Sequence, residues 1–140
     1  MNHPVHPLIV HFPIACWSLS TFGDVVEMFI PTNQSQAIGI LIFIGCISAV
    51  GAMAAGLYDA VKLKDHEQLS KPLDNHMYAA IAAWCLYLLS LTIRWDGGLS
   101  FASNTWAVVT SIAGFICLVI AGWYGANLVY VHGVGTKRIS

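Results

Sequence analysis

The sequence predicts an all-α fold, an integral membrane four-helix up-down bundle forming one domain over residues 1–140. Three observations carry this. Hydrophobic residues make up 57% of the chain and charged residues only 9%, with a mean hydropathy of +0.70, too little polar surface to clothe a water-soluble domain. The apolar residues gather into four runs, at about 8–30, 38–61, 77–93 and 106–130. Each is close to the ~20 residues a helix needs to cross ~30 Å of hydrocarbon. Threaded up and down, these runs bring the N-terminus, the second connection and the C-terminus to one face, and all six histidines (His3, His6, His11, His66, His76 and His132) lie at that end.

No Lys or Arg precedes Leu8 and no small-residue cleavage site follows the first run, so this span is expected to remain as an anchor rather than act as a cleaved signal. Pro13 lacks a backbone donor and crowds the carbonyl one turn earlier, so the span either kinks there or starts its regular turns there, with His11 at shallow depth. Ser18, Ser20, Thr21, Asp24 and Glu27 form a polar series toward the opposite interface. Asp24 and Glu27, three apart, share a helix face, and a buried functional role or a solvated helix end would each account for them.

The polar PTNQSQ segment at 31–36 is a turn into the second span. Gly45-x3-Ala49, Gly51-x3-Ala55 and Ala52-x3-Gly56 run along that span, and Ala121-x3-Gly125 and Gly122-x3-Ala126 along the fourth. Such pairs let backbones approach closely, which serves intrachain packing, homodimerisation or a flat cofactor. Asp59 ends the second span and is expected to hold an imidazole N–H. The longest polar connection, KLKDHEQLSKPLDN at 62–75, is expected to finish with Asp74 or Asn75 capping the third span. Asp96-Gly97-Gly98 ends that span, and Ser103 or Asn104 caps the fourth. Trp95 and Trp106 near one interface, and Tyr58, Tyr78 and Tyr130 near the other, read as aromatic belts. Cys16, Cys46, Cys85 and Cys117 fall one per span at middle depth with no CxxC pair, the pattern of inert core thiols.

The formal net charge of −1 conceals an asymmetry: Lys62, Lys64, Lys71, Lys137 and Arg138 lie on the histidine side and Arg94 alone near the other. Cytoplasmic loops retain Lys and Arg, which places both termini and the histidines in the cytoplasm if the bilayer is a bacterial inner membrane. Attraction to anionic lipid headgroups explains the basic residues better than a nucleic-acid patch.

His6 and His11, five residues apart, do not share a helix face and should serve different partners. In an up-down bundle the first and third helices are diagonal, so His11 and His76 are expected to face each other across the core as axial ligands of a haem iron. His132 has no histidine on the second span to oppose it, so its partner would be His6, His3, a neighbouring subunit or none. His66, between Asp65 and Glu67, is expected in water.

The segments HPLIVHFPIA (residues 6–15) and LVYVHGVG (residues 128–135) resemble motifs of a bacterial family of small four-helix membrane proteins of unknown function, and the resemblance covers nearly the whole chain. Domains of that kind occur with Rieske-type iron–sulphur modules and cytochromes, so the resemblance implies an electron-transfer setting and a likeness to membrane b-type cytochromes. Under it His6, His11 and His132 carry over as the motif histidines; His76 is added from topology.

Three function classes follow. The leading one is a membrane b-type haem protein (haem b) in electron transfer, with His6, His11, His76 and His132 as candidate ligands near the cytoplasmic side and Trp84 or Trp123 in the apolar wall that excludes water. The second is a protein that binds or transports zinc, copper or iron through the same imidazoles, and the third an assembly subunit without cofactor. Catalytic triads, phosphate loops and dinucleotide fingerprints do not occur in the sequence, so an enzyme would be a haem-dependent oxidoreductase. The expected partners are the lipid bilayer, a redox protein or quinone, and a second copy of the chain.

Overall fold

The computed structural model describes residues 5–30, 33–63 and 67–135. His3 and His66, with Lys64, Lys137 and Arg138, lie outside the described residues. The chain forms α1 (Val5–Ile9), α2 (His11–Phe29), α3 (Ser35–Leu63), α4 (Glu67–Arg94) and α5 (Thr105–Tyr130). Four helical stretches, His6–Phe29, Ser35–Val61, Gln68–Arg94 and Thr105–Tyr130, are long and apolar enough to cross a membrane. Among the described residues β-pairing is confined to one isolated bridge, between Trp95 and Phe101.

The first span is divided between α1 and α2 by Pro13. Its missing N–H and its ring both act on the carbonyl of Ile9, where α1 ends. The chain continues through the join on the Val10 N–H to His6 O bond (3.0 Å) and the Ile14 N–H to Val10 O bond (3.3 Å). His6 therefore sits on a short helical turn of its own.

The third helix begins at Glu67 rather than near 77, which corrects the expected loop. Asp74 and Asn75 are interior helical residues and not caps. The polarity of residues 67–75 belongs to a helix that outruns its apolar stretch, and Pro72 removes only one backbone bond from it. The fourth helix starts as expected, with Asn104 Oδ1 accepting the Trp106 N–H at 2.9 Å.

Between α4 and α5 the chain makes a tight loop, with Gly97 and Gly98 at φ +94° and +58° and Ala102 N–H on Arg94 O at 2.8 Å. Gln36, in the first turn of α3, grips this loop from both sides of its amide: Nε2 donates to Leu99 O at 2.6 Å and Oε1 accepts from Phe101 N at 3.0 Å. The Phe101 ring then lies directly over Gly39, leaving no space for a β-carbon there. Gly39→Ala is accordingly expected to lower stability by about 1–3 kcal/mol through overpacking, against the roughly 1 kcal/mol that alanine gains over glycine inside a helix. Thermal unfolding in detergent measures this.

The bundle core is built from Trp17, Ile38, Ile42, Cys46, Ala49 and Tyr87. Large apolar side chains such as Leu19, Phe22, Ile116 and Trp123 point outward, as expected of a helix surface facing acyl chains. Tyr58, Tyr78, Trp95, Trp106 and Tyr130 are exposed near the two ends of the spans, where a belt would sit. All four cysteines are free thiols, Cys16 and Cys46 in the core. Cys85 is exposed, which corrects its expected core position: its helix face looks outward.

Candidate functional site

His6 on α1 and His76 on α4 face each other across the bundle. Their ring centroids are 6.3 Å apart and their planes are at 86°. Each imidazole is anchored from the following span. His6 Nδ1 is 2.8 Å from Ala52 O on α3, and His76 Nδ1 is 2.8 Å from Ala121 O on α5. A carbonyl oxygen only accepts, so Nδ1 carries the proton in both rings and Nε2 is left as the nitrogen with a free lone pair.

The rings approach so closely because a glycine lies under each. A β-carbon at Gly56 would stand 3.0 Å from His6 Cε1 and Nδ1, and one at Gly125 would stand 3.2 Å from His76 Cε1. Ala52-x3-Gly56 and Ala121-x3-Gly125 are thus two copies of one device: a carbonyl that orients the imidazole and, one turn on, a bare backbone that admits it.

Of the sequence-predicted site residues, the structure brings together His6 and His76. The expected diagonal geometry is present, but His11 does not supply the partner of His76. It is exposed at the start of α2, because the break at Val10 turns it away while His6 enters the bundle. His132 is exposed in the turn after α5, its N–H bonded to Asn127 O. The Nδ1 partners of the facing imidazoles are backbone carbonyls rather than Asp59. Of the two tryptophans considered for the wall, Trp84 packs on the core and donates from Nε1 to Cys46 O at 3.1 Å, whereas Trp123 is 75% exposed.

At the other end of the bundle lies a polar cluster that the sequence reading did not assemble. Arg94 and Asp24, both 2% exposed, form a two-pronged ion pair: Nη1 donates to Oδ1 at 3.2 Å and Nη2 to Oδ2 at 3.0 Å. Nη2 also donates to Ser90 Oγ, whose own hydroxyl donates to Ala107 O at 2.7 Å. The sequence places Arg94 near the far interface and leaves Asp24 open to a buried role or a solvated helix end; the structure buries both, each with its partner on the diagonally opposite helix. Between the two ends, Trp17 and Tyr87 stack with centroids 4.7 Å apart and planes at 5°, and Tyr87 Oη meets Thr21 Oγ1 at 2.7 Å.

Among the described residues no group of three or more His, Cys, Asp or Glu is placed to hold a metal ion. The facing imidazoles are a set of two.

A membrane-spanning four-helix bundle with two inward histidines near one end is the class these features define. The chain belongs to the family described as predicted membrane protein DUF2231, whose model matches residues 2–138. No curated protein and no solved structure matches it.

Proposed function

We propose that this protein is a membrane b-type haem protein taking part in electron transfer, in which His6 and His76 would hold the haem iron. The observation that supports it is the facing imidazole pair, each ring fixed through Nδ1 with Nε2 available. A metal-bound imidazole nitrogen stands about 2.0–2.1 Å from its metal and the ring centre about 1 Å beyond, so two imidazoles on opposite sides of one metal have centres about 6 Å apart. The separation of 6.3 Å fits that span. Tetrahedral zinc sites take three or four protein ligands, whereas a haem iron would ask the protein for one or two.

Bound haem would supply a one-electron couple. The residues of the chain do the rest. The carbonyls of Ala52 and Ala121 hold the imidazoles in one tautomer and raise their basicity as ligands. Trp84 and the buried Tyr87 close the core below the site against water. In this reading the site lies on the cytoplasmic side of a bacterial inner membrane, with both termini in the cytoplasm, and exchanges electrons there with a redox protein or a quinone. Both ligands come from one chain, so a homodimer is not needed to complete the site. Burial of Arg94 in an ion pair removes the one basic residue that opposed the charge asymmetry.

The experiment is an absorption spectrum of the protein purified in detergent, oxidised and then reduced with dithionite. A sharp reduced α band is expected. Purification without haem after expression with ample haem supply would overturn the proposal, and elemental analysis would then show whether the imidazoles hold zinc, copper or iron.

A further inference from the structure

The three pairs that meet across the bundle share one register. Trp17 with Tyr87 and Asp24 with Arg94 are separated by 70 residues, and His6 with His76 by the same interval. Their supports on the next span repeat in parallel. The Trp17 ring lies over Gly45 with Cys16 beside it, and the Tyr87 ring lies over Gly114 with Leu86 beside it. His6 lies over Gly56 on the carbonyl of Ala52, and His76 over Gly125 on the carbonyl of Ala121. Gly45 and Gly114, Ala52 and Ala121, and Gly56 and Gly125 are each 69 residues apart. Parallel helices in contact keep one offset by geometry alone, but two unrelated hairpins have no reason to place a histidine, the carbonyl that anchors it and the glycine beneath it at matching positions along that offset. Two copies related by a two-fold axis must, because on such an axis each residue meets its own mate.

We infer that the chain is built as two equivalent helical hairpins, α1–α3 and α4–α5, facing each other across an internal two-fold axis along the membrane normal. The imidazole pair is a single on-axis site to which each half gives one imidazole, one carbonyl and one glycine. The first and third spans run in the same direction, as a parallel repeat requires. Gly56 and Gly125 become positioning residues with the same task. The site suits a ligand with two equivalent faces, one per chain; that this ligand is haem rests on the reading above, while the symmetry of the site does not.

Two arms test the inference separately from the haem reading. The first exchanges the ion pair. Asp24→Arg alone sets two arginines against each other, and Arg94→Asp alone two aspartates, so both are expected to lose thermal stability in detergent. The double exchange Asp24→Arg/Arg94→Asp is expected to recover most of that loss, because Ser20 stands 70 residues before Ser90 and offers the relocated guanidinium the corresponding hydroxyl. An exchange as damaging as the single changes would overturn the two-fold relation.

The second arm is nitrogen NMR of histidine-labelled, haem-free protein. His6 and His76 should both give the signals of Nδ1–H tautomers, with Gly56→Ala moving the His6 signals and Gly125→Ala the His76 signals by similar amounts. Opposite tautomers in the two rings would overturn equivalence. Haem titration followed by absorbance should saturate at one per chain, and saturation at two would overturn the single site. Equivalent imidazoles in a protein that takes up no haem would support the two-fold site and count against haem as its occupant.

Discussion

Arg94→Ala is expected to destabilise the protein by about 3–5 kcal/mol, the cost of leaving one partner of a buried pair uncompensated. Asp24 is 2% exposed and both its oxygens are bonded to Arg94. Without the guanidinium the carboxylate stays in a core it cannot leave without separating α2 from α4, and Ser90 loses a donor as well. Replacing both residues with apolar side chains of similar volume, as in Asp24→Leu/Arg94→Met, should restore most of the stability, because the desolvation of two charges is removed together with their attraction. Denaturant unfolding of the three proteins in one detergent decides the matter. A single Arg94→Ala change that cost under about 1 kcal/mol would mean the pair behaves like a surface salt bridge.

The second large effect is at the imidazoles. On the haem reading, His76→Ala is expected to abolish the low-spin spectrum, since one of the two residues that would hold the iron is removed and Ala121 O no longer has an imidazole to orient. His6→Ala should behave the same way, with any haem retained by either variant being high-spin. His11→Ala and His132→Ala should leave the spectrum unchanged, because both side chains are exposed. Purified variants with haem content measured per chain provide the check. Full haem with an unaltered spectrum in His76→Ala would remove this histidine from the ligand set and send the search back to His11 and His132.

The helical class, the membrane setting and the end of the bundle that gathers the histidines were legible in apolar run length and residue placement. The pairing of particular side chains was not. Which of His6 and His11 enters the core depends on how the chain breaks at Val10, and the proline that causes the break is consistent with a kink or a late helix start alike. The start of α4 at Glu67 was hidden because polarity and Pro72 mimic a loop, while a helix needs no apolar residues once it leaves the hydrocarbon. The Asp24–Arg94 pair was missed because each residue, taken alone near a helix end, is satisfied by water. The internal repeat is the least visible of all. Apart from His6 with His76 and Ser20 with Ser90, its mates differ, tryptophan with tyrosine, aspartate with arginine, cysteine with leucine, and the glycines and alanines that do match are common in membrane helices.

That unlikeness at the ion pair governs which halves can associate while the membrane protein is being assembled. Two first hairpins brought together would press Asp24 against Asp24, and two second hairpins Arg94 against Arg94, in a place where neither water nor salt can screen them. A first half with a second half neutralises the layer without taking up a proton, which two aspartates would have to do. A newly inserted first hairpin therefore has a built-in reason to wait for the partner that follows it from the same ribosome, and to refuse another copy of itself in a crowded bilayer.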